Sequence, residues 1–387
     1  MRRLFLLVAA VVLVDTMFYA AITPLLPQYA DELDLSKTAA GVLSAAYPAG
    51  TLIGTFPAAW LAARLGFKST LLAGLGLIAV AGTTFAFAEH IVLLDAARFL
   101  QGVGGACAWV GGFSWLVAVA PPERRGEVIG SGLAAAIFGF LLGPVLGGAA
   151  TVTSPELVFS LAASVAVVLA AITLGMPAVA PSPFPGWRRL GGVLKTLPIA
   201  AGFWLTALPA VFSGTINVLA PLRLDALGAT GVFVGGVFLV SALLEGAASP
   251  WFGRLSDRRG RLWPIRIGLA VAAAMAVWVP IPESIVVLGL SIVVAEVSLG
   301  LCWTPAMAML SDSVERLGVG QWLAFGLVNF AWASGQVVGG SGGGALADRT
   351  SDALPLAIAA ILLALTAAAL VLAPRMSAAE KPAAPSV

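Results

Sequence analysis

Long apolar blocks separated by short polar breaks dominate the chain from about residue 5 to residue 373. A helix needs about 20 consecutive apolar residues to cross the hydrocarbon core of a bilayer. On that measure the sequence predicts helices over about 5–27, 40–62, 69–88, 92–119, 127–150 and 155–176, then 197–220, 229–251, 262–280, 284–310, 318–347 and 352–373. Most connections are short, which leaves no room for an attached soluble domain. The exception is 177–196, where Pro177, Pro181, Pro183 and Pro185 precede Trp187, Arg188, Arg189 and Lys195. That stretch reads as a linker between two six-helix halves, 1–176 and 197–373, with a short tail at 374–387.

Met1-Arg2-Arg3 before an apolar run imitates a secretory signal. The run continues past Asp15 to about Pro27, too long for a signal core, and no small-x-small cleavage site follows. The expectation is an uncleaved first span. The basic residues give an orientation. Seventeen of the twenty-one Lys and Arg, from Arg2 and Arg3 to Arg375 and Lys381, fall on one side of the predicted helices. Only Lys37, Arg223 and Arg349 fall on the other, and Arg98 lies within a helix. By the positive-inside rule both termini are cytoplasmic, in an inner cell membrane.

The halves repeat. Arg64-Leu65-Gly66-Phe67-Lys68 aligns with Arg258-Arg259-Gly260-Arg261-Leu262 at an offset of 194, and Pro27 with Pro221 at the same offset. Gly143 with Gly147-Gly148 aligns with Gly335 and Gly339-Gly340 at 192. A duplicated six-helix unit places a substrate cavity between the halves, near the midplane.

Composition narrows the class of protein. Apolar residues make up 60% of the 387 and charged residues 10%, against about 25% charged in soluble domains. So few charges cannot cover a water-facing surface, and lipid must take much of it. Cys107 and Cys302 lie in apolar runs, and His90, the single histidine, sits in a short loop. That set offers almost nothing for a metal cage or a nucleophilic triad. The glycine strings lie inside apolar helices with no strand before them, so none is a nucleotide loop. No cofactor, metal, nucleic acid or enzymatic activity is expected. The partners are lipid, protons and a small molecule, and the chain is expected to be a monomer.

Three motifs carry a resemblance. Gly253-Arg254-Leu255-Ser256-Asp257-Arg258-Arg259-Gly260-Arg261, Arg98-Phe99-Leu100-Gln101-Gly102-Val103-Gly104-Gly105-Ala106, and Gly139-Phe140-Leu141-Leu142-Gly143-Pro144-Val145-Leu146-Gly147-Gly148 resemble signatures of the major facilitator superfamily. The third is similar to the antiporter signature of its drug:proton exchangers. Val14-Asp15-Thr16-Met17 with Pro24-Leu25-Leu26-Pro27 resembles the first helix of bacterial drug exporters and vesicular monoamine transporters. The resemblance implies twelve helices, alternating access and proton-coupled export of small lipophilic or cationic compounds. It implies a cytoplasmic gate at Gly253, Asp257, Arg258, Gly260 and Arg261. Arg64 and Gly66 form the first-half copy, with Ala63 where the acid belongs. Arg98 is implied in proton coupling, or alternatively in a structural pair with Asp95 one turn away.

Asp15, Glu245 and Glu296 are acids inside predicted spans. Ionisable groups within a membrane are functional hypotheses by default, so proton coupling is expected at Asp15, Arg98, Glu245 and Glu296. Tyr19 lies one turn from Asp15 and can bind a cation through its ring. Asn329, Trp332 and Gln336 fall at i, i+3 and i+7 on one face of a helix, and with Asp15, Tyr19 and Glu296 they are the expected pocket lining. A transporter of another solute on the same helices stays open, and more remotely a membrane sensor or enzyme.

Overall fold

A computed structural model describes residues 2–121, 125–179, 192, 196–316 and 321–372. Arg124, most of 177–196, including Arg188, Arg189 and Lys195, and all of 374–387 lie outside the described residues, as does the side chain of Asp257.

With no water in the bilayer, each span must satisfy its own backbone, and these apolar blocks do so as helices. In chain order they are α1 (Arg2–Glu32), α2 (Lys37–Leu65), α3 (Phe67–Ala86), α4 (Ile91–Val119), α5 (Arg125–Val152) and α6 (Pro155–Leu174). Then come α7 (Leu197–Ala226), α8 (Gly231–Arg259), α9 (Leu262–Trp278), α10 (Ile285–Arg316), α11 (321–349) and α12 (Ala353–Leu372). Ten are continuous and apolar enough to span a membrane; α9 has 17 residues, and α11 is carried across a π-helical turn, Val338–Gly342. The fold is all-α, a multi-pass membrane architecture of two pseudo-symmetric bundles. We call the side where α1 begins the near face and the opposite side the far face.

Polar side chains start several helices at the far face. Ser36, Ser154 and Thr230 accept hydrogen bonds from the N–H of Ala39, Leu157 and Phe233 and cap α2, α6 and α8. At the near face α2 and α8 both end on a glycine with positive φ, +86° at Gly66 and +82° at Gly260. A residue with a Cβ is strained there, so the two loop copies share a backbone conformation as well as a sequence.

Two prolines differ from expectation. Pro27 and Pro221, expected to end their helices, lie inside them, and α1 runs on to Glu32 and α7 to Ala226. Proline removes one donor without removing the apolar face beyond it. The regular pattern of α1 is interrupted earlier, by a single turn residue, Ala21, whose backbone stays helical (φ −66°, ψ −21°) and whose N–H still bonds the Met17 carbonyl at 3.1 Å.

Packing repeats between the bundles. In the first six helices α1 packs on α5, α4 on α2 and α3, and α3 on α6; in the last six α7 packs on α11, α10 on α8 and α9, and α9 on α12. Glycines make the first contact of each set close. Gly139, Gly143 and Gly147, one turn apart on α5, lie against Thr16, Ala20 and Ala21 of α1. Gly335, Gly339 and Gly343 of α11 lie against Ala207, Val211 and Thr215 of α7. Small residues at this spacing let helix backbones approach where lipid supplies no hydrophobic drive.

The bundles meet along α5–α8 and α2–α11, themselves a pseudo-symmetric pair. Gly148 faces Gly231 and Val232, and a Cβ on Gly235 would stand 2.8 Å from the Pro144 carbonyl oxygen. Across the other seam Gly41 lies on Gly340 and Gly344. The far-face end of that seam is clasped by two polar pairs. Lys37 forms an ion pair with Asp352, and the Thr38 hydroxyl donates to Asp348 at 2.7 Å.

Gly143 and Gly148 therefore respond differently to one added methyl. A Cβ at 143 would meet Ala20 and come within 2.9 Å of the Met17 carbonyl, whereas one at 148 has 3.8 Å of clearance. Gly143→Ala is expected to cost about 1–3 kcal/mol of stability, read as a lowered Tm in detergent. Gly148→Ala should leave Tm unchanged, and equal effects would contradict this packing.

Candidate functional site

Asp15 faces the interior of the first bundle with no exposed surface. Two neutral donors meet one of its oxygens: the Tyr47 hydroxyl of α2 donates to Oδ2 at 2.8 Å, and the Trp109 indole N–H of α4 donates to the same atom at 3.0 Å. The other oxygen, Oδ1, has no hydrogen-bond partner. Gly105, one turn before Trp109, lets α4 pass beneath the carboxylate. A Cβ there would stand 2.7 Å from the Tyr47 hydroxyl and 2.9 Å from each Asp15 oxygen.

Arg98 is 1% exposed. Its guanidinium donates to the Phe18 carbonyl at 3.2 Å, the Tyr19 carbonyl at 3.1 Å and Gln101 Oε1 at 2.8 Å. It also lies 5.8 Å and 5.4 Å from the ring centroids of Tyr19 and Tyr47. No ion pair joins it to Asp95, whose Oδ1 is buried without a partner. The carbonyls that Arg98 binds belong to the residues just before Ala21. A buried cation thus ties α4 to the α1 backbone just before that turn.

Tyr19 forms the centre of an aromatic cluster that crosses the seam. Its ring lies 4.8 Å from Tyr47, 5.6 Å from Phe140 of α5 and 5.2 Å from Trp332 of α11. A second cross-seam pair joins Phe56 of α2 to Phe330 of α11 at 5.3 Å. The face of Asn329, Trp332 and Gln336 is divided by its surroundings. Trp332 reaches Tyr19 and Asn329 is half-buried, but Gln336 turns toward α7, where its amide lies 3.4 Å from the Ser213 hydroxyl.

Glu296 of α10 is half-buried, with Oε1 buried and unpartnered, and its charge acts on Tyr19. Glu245 lies against Gly300 of α10, where a Cβ would stand 2.9 Å from its Cγ, and its charge acts on Glu296. It falls at the middle of α8 rather than toward one end, because α8 continues to Arg259.

The near-face signature is held within each bundle. Arg261 forms an ion pair with Asp312 at the end of α10, Arg64 stacks on Trp60 of its own helix, and Arg259 on Trp263. A Cβ on Gly253 would stand 4.0 Å from the Thr304 methyl, and Arg258 is exposed. Among the described side chains none of these residues latches across the seam.

Sequence reasoning singled out Asp15 but not the partners that hold it, Tyr47, Gly105 and Trp109, nor Gln101 beside Arg98. One signal was available: a tyrosine inside an apolar span must find a partner for its hydroxyl.

Twelve helices in two repeated bundles, with buried charge and aromatics at the seam, define a polytopic membrane protein of transporter architecture. The chain belongs to the Major Facilitator Superfamily, whose sequence model matches residues 8–340. It is 38% identical over 104 residues to the MFS-type transporter ppzB of Metarhizium rileyi, covering 27% of this chain and 22% of that protein. It is 25% identical over 295 residues to the synaptic vesicular amine transporter of Homo sapiens, covering 73% of this chain and 56% of that protein. The chain therefore spans between a fifth and just over half of these relatives' lengths. In fold it is similar to a bacterial homologue of the human lysosomal transporter Spinster, with a TM-score of 0.79, 12% identity, and coverage of 99% of this chain and 98% of that one.

Lysine cannot reproduce the fork with which Arg98 spans two carbonyls and Gln101. Arg98→Lys is expected to loosen α1 around Ala21, read as faster amide hydrogen exchange over residues 18–23. Wild-type exchange there would mean that something else holds that turn.

Proposed function

We propose that this protein is a proton-coupled antiporter that exports small lipophilic cations by alternating access. The observation that carries the reading is Asp15: a carboxylate buried within the first bundle, not paired with Arg98, with one oxygen that has no hydrogen-bond partner, and held by Tyr47, whose ring lies 4.8 Å from the seam-crossing ring of Tyr19. A buried carboxyl with an unpartnered oxygen can take a proton or a cationic amine, and nearby aromatic faces favour a cation over a neutral solute. Glu296 and Glu245 are two further acids on the other bundle, each able to hold a proton or a cation. The kinship with amine transporters named above supports the same class. In this reading the basic near face is cytoplasmic, supported by the charge bias, with the termini inside and the Lys37–Asp352 clasp outside.

The test uses everted membrane vesicles energised to be acidic inside, a panel of lipophilic cations and a lumenal pH probe. Some cations should discharge the gradient with wild type and not with Asp15→Asn, both inserted at equal levels. Equal discharge by the variant would remove Asp15 from coupling and overturn the reading.

The far-face clasp must open in each cycle if access alternates between the faces. Thr38→Cys with Asp348→Cys, joined by a short thiol cross-linker, is expected to abolish transport, and reduction should restore it. Undiminished transport by fully cross-linked protein would show that this seam does not open.

A further inference from the structure

We infer that Asp15 works through a single oxygen, with Tyr47 and Trp109 as the positioning residues that reserve it. The inference rests on the antiport reading above and names the atom and the ion at that site. Oδ2 receives two donated hydrogens, at 2.8 Å and 3.0 Å, from side chains that stay neutral. Donors aimed at a carboxylate favour its charged form and occupy the lone pairs they face. Oδ1 is buried and receives none, so it is the oxygen with lone pairs left for a positive group. A proton bound there excludes an ammonium, and an ammonium excludes a proton. Exchange of one for the other then follows from the geometry of one carboxylate, with no second acid required at this position.

The same geometry selects the coupling ion. An alkali cation needs several oxygen ligands to replace its water shell. The groups bonded to Asp15 are a hydroxyl and an indole that both donate, and the carbonyls of Phe18 and Tyr19, three and four residues further along α1, are bonded by Arg98. Arg98 is also the one charge that acts on Asp15. From α5 the neighbouring contact is glycine 139 on Thr16, which brings no ionisable group. A proton needs one lone pair and finds it on Oδ1, whereas Na⁺ would have to replace its water shell beside two hydrogen-bond donors and within reach of the Arg98 charge.

The test reads protonation directly and needs no known substrate. Full-length protein in proteoliposomes is titrated from acid to alkaline pH while the infrared carbonyl band of protonated carboxyl groups is followed, and the Asp15 contribution is isolated by subtracting Asp15→Asn. Tyr47→Phe and Trp109→Phe each remove one donor to the charged form and should move the midpoint of that band up by about one pH unit. Replacing K⁺ by Na⁺ at constant ionic strength should leave it in place. Should either variant misfold, Gly105→Ala crowds the same hydroxyl and carboxylate and should shift the midpoint in the same direction. Midpoints equal to wild type in all folded variants, a midpoint lowered by Na⁺, or no Asp15 band at any pH would each overturn the inference. The transport assay with Asp15→Asn is independent of this titration, so loss of antiport with unshifted midpoints defeats only the single-oxygen claim. Shifted midpoints with transport intact would defeat the antiport reading instead.

Discussion

A permanent cation buried among helices must be surrounded by acceptors, and the way Arg98 meets that demand arranges the rest of the first bundle. Desolvating a guanidinium is costly, so its donors must find oxygens. Here those oxygens are a glutamine one turn along its own helix and two backbone carbonyls of α1. The tie fixes α1 against α4 at the height of the Ala21 turn. It leaves Asp15, three residues before Phe18, to be held by neutral donors rather than by a salt bridge. Had Arg98 paired with Asp95, as their spacing suggests, the α1 carbonyls would lack that partner and the carboxylate network would be unsupported on one side.

Close packing supplies the second constraint. Apolar side chains gain nothing by leaving lipid for one another, so helices here associate where their backbones can touch. That explains why the glycine spacing of α5 reappears in α11 and why each stripe lies on the corresponding neighbour, α1 or α7. The duplication seen in the letters is a duplication of contacts. It extends to the near-face loops, where Gly66 and Gly260 share one backbone conformation although the flanking charges differ.

Much of the fold was legible because the bilayer imposes a length and a polarity on each span. Helix ends were less so. Hydropathy reports where lipid stops, and α8 continues past that point to Arg259 because charged residues are good helix formers in the headgroup region. Asp15 was visible as an anomaly in an apolar run. Its partners were not, since Tyr47 is thirty-two residues away and Trp109 resembles any membrane tryptophan. The face of Asn329, Trp332 and Gln336 shows a related limit. Periodicity places residues on one side of a helix, but α11 touches both α7 and the seam, and only packing decides which neighbour each side chain meets.

The seam between α2 and α11 has a mechanical property of its own. Gly41, Gly340 and Gly344 present bare backbone to one another, while Gly335, Gly339 and Gly343 lock the other side of α11 onto α7. One surface of the helix is keyed and the other is smooth. Where these glycines lie there are no side-chain knobs to lift out of holes, so sliding past α2 meets little steric friction there; the rings of Phe56 and Phe330 meet further along the same seam. Resistance at the far-face end is concentrated in the few polar groups at the rim. Such a joint behaves as a plain bearing with a catch at one end, and its stiffness is set by the catch rather than by the bearing.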